Sequence, residues 1–245
     1  MKKLHGLFLF VLWYGVVAGA TPSTTFWTPC TTSIQPFAVP HLTYDSYFNR
    51  SADFPTDTGL TIGVLPWKKF QAEVGFDLFL PGEDPWQWNV RAGLPEDALF
   101  KYSPGVNLGM WGIGSKHNVN NFNILQLNVG HALPKLGSLA VGGYLGTTPE
   151  LLEDEKGHDQ SLGWMVAYYR TLEPWTDRIA LTADYMSDRN IFGGGGAGVY
   201  WWFFRQIDVI TGWVWFNDTK LNPCPNGMFT IQLDVDMNFK RKLPE

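Results

Sequence analysis

Cysteine is nearly missing from this chain, with only Cys30 and Cys224 among 245 residues. Two distant cysteines lack the paired spacing of a zinc site, so no structural metal is expected. Charge is sparse as well, at 17% Asp, Glu, Lys and Arg. The balance is mildly acidic, with a formal net charge of −5 and no basic block or Lys/Arg–aromatic cluster, which argues against nucleic acid as a partner. Long apolar runs are absent beyond the first 20 residues. Nothing after that point reaches the ~18 residues of a helical membrane span. Signature motifs are also wanting. His41, His117, His131 and His158 stand singly. No Gly-x-Ser-x-Gly elbow occurs. The run Gly193–Gly196 has no Lys-Ser/Thr after it and precedes a strand, so it is not a phosphate loop. It reads as a flexible loop and a close-packed strand start. No cofactor is expected.

What the chain does have begins with an export signal. Lys2 and Lys3 precede an apolar run from Leu7 to Val17, and Ala18-Gly19-Ala20 fits the small-x-small cleavage rule. Residues 1–20 are therefore expected to be removed, which moves the formal charge from −5 to −7. Residues 21–40 form a second region, rich in Thr and Pro and without a clean period. Pro29, Pro36 and Pro40 argue against a regular central strand there. The region reads either as a tail or as a segment folded into the rest of the chain.

Residues 41–245 alternate. In 228–239, Phe229, Ile231, Leu233, Val235, Met237 and Phe239 fall on one side, and Thr230, Gln232, Asp234, Asp236 and Asn238 on the other. Period-two alternation marks a strand with one apolar and one wet face. The same pattern recurs in 69–80, 86–94 and 178–188, and about twelve such segments succeed one another. Short connections largely alternate with longer ones. Trp67, Trp86, Trp88, Trp175, Trp213 and Trp215 lie near strand ends, as interfacial aromatic girdles do. A mean hydropathy of −0.10 beside 12 Trp and 17 Phe fits strands that offer lipid only alternate residues. The fold class is all-β, a transmembrane up-and-down antiparallel β-barrel. A soluble exported β-sandwich is the competing fold, but its strands should be shorter.

On these segments the chain resembles bacterial outer-membrane β-barrel proteins of the porin-like kind. The last strand, 227–239, looks like the C-terminal strand recognised during barrel insertion. Those proteins usually end on an aromatic residue, whereas here KRKLPE comes after Phe239. The resemblance implies location in the outer membrane of a Gram-negative bacterium, contact with outer-membrane lipid, and passive passage of small solutes or ions. Short turns and both termini would be periplasmic. A homo-oligomer or an outer-membrane protein partner stays open.

The polar faces project Asp45, Glu73, Asp77, Asp184, Asp208, Asp234 and Asp236 into the expected lumen, with Arg91 as the clearest cation. Folding 69–80 against 86–94 places Glu73 near Arg91. Fixed carboxylates in a narrow pore would favour cations, or they would only hydrate and brace the interior. Tyr144, Tyr169 and Phe79 also face inward on this reading. A disulfide between Cys30 and Cys224 is chemically open in an exported protein, and would require residues 21–40 to thread up the lumen as a plug. The acidic loop with Glu150, Glu153, Asp154, Glu155 and Asp159 lacks the calcium-loop spacing and reads as a solvated outer loop. Two further functional classes remain. One is an anchor or scaffold without an open pore. The other is a lipid-modifying hydrolase, for which His131 with Ser138, and His41 with Asp45, are the nearest pairs. Neither pair has a third member, and the chain is read as not an enzyme.

Overall fold

The computed structural model describes residues 24–50, 54–173, 175–222 and 224–237. The expected leader, and Phe239 with the residues after it, lie outside them. Twelve strands appear in chain order: β1 (Pro40–Phe48), β2 (Thr56–Gly63), β3 (Gln71–Leu80), β4 (Trp86–Leu94), β5 (Gly105–Ile113), β6 (Ile124–Leu133), β7 (Gly137–Gly146), β8 (Leu162–Thr171), β9 (Ile179–Met186), β10 (Gly194–Phe204), β11 (Ile207–Phe216) and β12 (Met228–Asp236). Each pairs antiparallel with its sequence neighbours, and β1 pairs with β12, so the sheet closes. Closure leaves no unpaired strand edge, which a hydrocarbon surrounding requires. Strands of 8–11 residues suit tilted membrane crossing.

Alternation sorts the two faces. Trp88, Leu108, Leu127, Val141, Trp164 and Ile231 are exposed on the outside. Their inward neighbours are Gln87, Asn107, Gln126, Asn128, Thr230 and Gln232, all buried. A buried polar inside with an exposed apolar outside inverts the soluble sandwich and identifies the outer face as the lipid face. Aromatic pairs reinforce both rims. Phe76 packs between Trp86 and Trp88 near one rim, and Trp201 stacks on Phe203 near the other, with ring centroids 5.4 Å apart.

The connections fall into two sets. One rim carries 64–70, 95–104, 134–136, 172–178 and 205–206. The other carries 49–55, 81–85, 114–123, 147–161, 187–193 and 217–227, including a short 3₁₀ turn at Pro149–Leu151. These are called the short-turn and long-loop rims. The glycine run spans a loop end and a strand start: Gly193 closes the 187–193 connection and Gly194 opens β10, whose first residues pair with Phe216, Trp215 and Val214 of β11.

Candidate functional site

Residues 24–36 lie inside the barrel. Their backbone groups need partners, and the inward polar side chains supply them. Asp184 Oδ2 accepts the backbone N–H groups of Phe26 (2.9 Å), Trp27 (2.9 Å) and Thr28 (2.8 Å), and the Thr28 hydroxyl (3.1 Å). Charge-assisted bonds of this kind are the strong ones. Tyr200 and Thr182 donate to the Thr25 carbonyl, at 2.7 and 3.1 Å. Gln232 donates to the Phe26 carbonyl, at 3.1 Å. Further along, Asn128 donates to the Pro29 carbonyl (3.0 Å) and Asn107 to the Thr31 carbonyl (2.6 Å).

Shape matches this bonding. Phe26 is 1% exposed, and its ring fills a notch made by Gly196, Gly198 and Gly212. A Cβ at any of the three would meet that ring at 2.3–2.7 Å. Trp27 packs edge-on against Tyr47 and Phe216, and its indole N–H donates to the Phe192 carbonyl at 2.9 Å. The segment then crosses to the opposite wall. There the Gln35 N–H donates to Glu73 at 2.5 Å, and a Cβ on Gly63 would collide with the Gln35 and Pro36 backbone.

The eight residues singled out in the sequence all sit on the inner face, seven in three groupings and Asp184 apart. Glu73 and Arg91 are register partners and form a buried ion pair, Arg91 Nε and Nη2 lying 2.9 and 2.5 Å from Glu73 Oε1. Asp234 and Asp236 flank His41, whose Nδ1 is 2.9 Å from Asp236 and whose Nε2 is 3.8 Å from Asp234. Gln35 also donates to Asp236, at 2.9 Å. Asp208 stands opposite Asp234 in register and is fully buried. Asp184 clasps the N-terminal segment. Asp45 and Asp77 belong to a third group, joined by Asp57 of β2, a residue not singled out in the sequence. Asp45 pairs directly with Asp57 across β1 and β2, and Asp77 lies diagonally beyond on β3.

Cys30 and Cys224 are both free thiols and belong to different buried clusters. The pairing considered from sequence is therefore not formed. Cys30 packs with Ile124, Tyr144 and Leu152, whereas Cys224 packs toward Val214 and Met228.

Two cavities flank the N-terminal segment and share no lining residue. The larger, about 760 Å³, opens among Ser138, Ala167, Tyr169, Trp202 and Arg205 toward the short-turn rim. The smaller, about 140 Å³, runs along β1 to β4 past Asp45, Asp57 and Asp77. His131 is 3.1 Å from Glu96, and among the described residues neither His131 nor His41 is hydrogen-bonded to a serine. In the 147–161 connection, the backbone N–H of His158 (2.9 Å), its ring (3.0 Å) and the backbone N–H of Lys156 (2.8 Å) hold the Asp154 carboxyl down to about 2. Glu155 pairs with Lys220. No three metal-ligating side chains gather among the described residues.

No family model matches the sequence, and no curated protein sequence matches it. Solved structures do. A KdgM porin superposes with TM-score 0.51 at 10% identity, over 82% of this chain and 99% of that one. A NanC porin gives 0.49 at 8% identity, over 80% and 98%. Outer membrane phospholipase A from Escherichia coli gives 0.46 at 11% identity, over 83% and 93%. Likeness at such identities concerns fold and not chemistry. The chain thus shares a closed β-barrel fold with the KdgM porin, and its inverted faces make it a membrane-spanning barrel.

Proposed function

We propose that the chain is an outer-membrane channel for small solutes or ions, weakly cation-preferring, in which the N-terminal segment acts as a lumenal plug. The observation that carries the reading is the pair of separate cavities, one on each side of residues 24–36. They make two half-pathways with the clasped segment between them. In the orientation usual for such barrels, short turns are periplasmic. The large cavity then faces the periplasm and the acidic one the exterior. Passage needs no chemical step. Selection comes from the width left beside the segment and from carboxylates that lack ion-pair partners.

The test is conductance and reversal potential of the refolded mature chain in a planar lipid bilayer under a salt gradient. It is run beside a chain lacking Thr21–Pro36. Small or rare steps from the full chain, large steps from the shortened one, and a cation-side reversal potential are expected. A folded shortened chain that stays silent would overturn the channel reading and leave an anchor or scaffold.

A further inference from the structure

We infer that the smaller cavity is a binding site for a small organic ammonium ion. This rests on the channel reading for its biological meaning, but not for its chemistry. The cavity's acidic lining includes Glu73, which Arg91 engages, Asp234, which lies 3.8 Å from His41, and the trio Asp45, Asp57 and Asp77. Like charges directly opposite one another on a sheet face repel, and Asp45 and Asp57 are direct register partners. Among the described residues no lysine, arginine or histidine pairs with any of the three. Their side-chain partners are neutral: the Tyr47 hydroxyl to Asp45 at 3.3 Å, and the Asn89 amide to Asp77 at 2.8 Å. Arg91 also lines the cavity, but Glu73 engages it. The trio therefore offers a solute carboxyl oxygens that no protein cation among the described residues engages.

A second observation points to a ligand independently of the carboxylates. Gln126 lines the same cavity, is only 3% exposed, and its Oε1 has no hydrogen-bond partner. Leaving a buried acceptor unmade is expensive, and a donor arriving with a solute would satisfy it. Asp57 Oδ1 is unpartnered too.

Aromatic rings also line the cavity. Trp27 with Tyr47 and Trp111 with Phe192 form edge-on pairs at 5.7 and 4.8 Å. Aromatic faces attract cations and accept apolar carbon. A metal ion fits poorly, because no three ligating groups converge among the described residues. Acceptors spread along a narrow crevice of about 140 Å³ suit an aliphatic amine with few non-hydrogen atoms. Asp57, Phe79 and Phe192 frame its end at the long-loop rim, where such a solute would enter.

The probe is 1,4-diaminobutane, titrated calorimetrically into the detergent-purified mature chain. Magnesium chloride and 1,4-butanediol are the comparisons. Saturable diamine binding is expected, weakened at least tenfold in Asp57→Asn/Asp77→Asn and weakened also in Trp111→Leu, with no saturable diol binding. Heat-dependent gel mobility confirms that each variant is a closed barrel. Three results would overturn the site: no saturable diamine binding by folded protein, equal binding of the diol, or magnesium binding that shows the same dependence on Asp57 and Asp77. Binding by a barrel that never conducts, even without its N-terminal segment, would sink the channel reading alone. Conduction without amine binding would sink this one alone.

Discussion

The inner faces of β5 to β10 and of β1 to β3 come from the same alternation and end in opposite states. On the first side, polar groups clasp the N-terminal segment. Asn107, Asn128, Thr182, Asp184 and Tyr200 each hold a backbone group of residues 25–31. Glycines there give the segment room. On the second side, Asp45, Asp57 and Asp77 are half-buried and face open space. The difference shows that a polar lumen is not in itself a pathway. What matters is whether its side chains already have partners.

The comparison can be broken most forcefully at the glycine notch. Gly196→Val places a Cβ where the Phe26 ring now lies, 2.3 Å away. Expulsion of Phe26 should raise single-channel conductance toward that of the chain lacking Thr21–Pro36. Next is Asp184→Ala, which leaves three N–H groups without their shared acceptor. Losing bonds to a charged group costs about 1.5–3 kcal/mol, so the open fraction in bilayer recordings should rise roughly ten- to a hundredfold. Asp184→Asn, which keeps an acceptor oxygen, should fall between.

On the opposite wall, Asp57→Asn/Asp77→Asn should lower cation selectivity, read as a reversal potential closer to zero. Asp234→Asn/Asp236→Asn should move it less, because His41 and Gln35 already engage those carboxylates. Equal shifts would mean that paired and unpaired carboxylates act alike, against the comparison. The smallest effect is expected from the cysteines. Alkylation of the unfolded chain without reductant should add two labels, and Cys30→Ser/Cys224→Ser should leave barrel closure unchanged.

Much of the barrel was legible in sequence because lipid imposes one rule on every strand. Alternation marked the strands, and the inward positions of β3, β4, β9 and β12 came from parity. The lumenal contacts were less legible. Residues 24–36 have no period, because their bonds run to side chains on distant strands and not to a ladder. Asp57 is the second residue of β2, which opens at Thr56, and a strand read from residue 58 leaves it out. Only its two-residue spacing to Gly59 and Thr61 could have placed it on the inner face. The Gly193–Gly196 run reads as a loop and a close-packed strand start, but its notch for Phe26 exists only once Gly212 of the next strand is brought alongside. The separate buried clusters that hold Cys30 and Cys224 as free thiols cannot be read from sequence separation.

The most direct test of the N-terminal segment's place in the lumen is a designed cross-link. A Cβ on Gly105 would lie 3.1 Å from the Thr32 Cβ, close to the roughly 3.5–4.5 Å of a disulfide. Thr32→Cys/Gly105→Cys, made with Cys30→Ser and Cys224→Ser, should form that bond in native outer membranes in high yield. Under oxidising conditions the bilayer current should stay at the low level of the full chain. Two free thiols at these positions in a heat-modifiable, folded barrel would contradict the account.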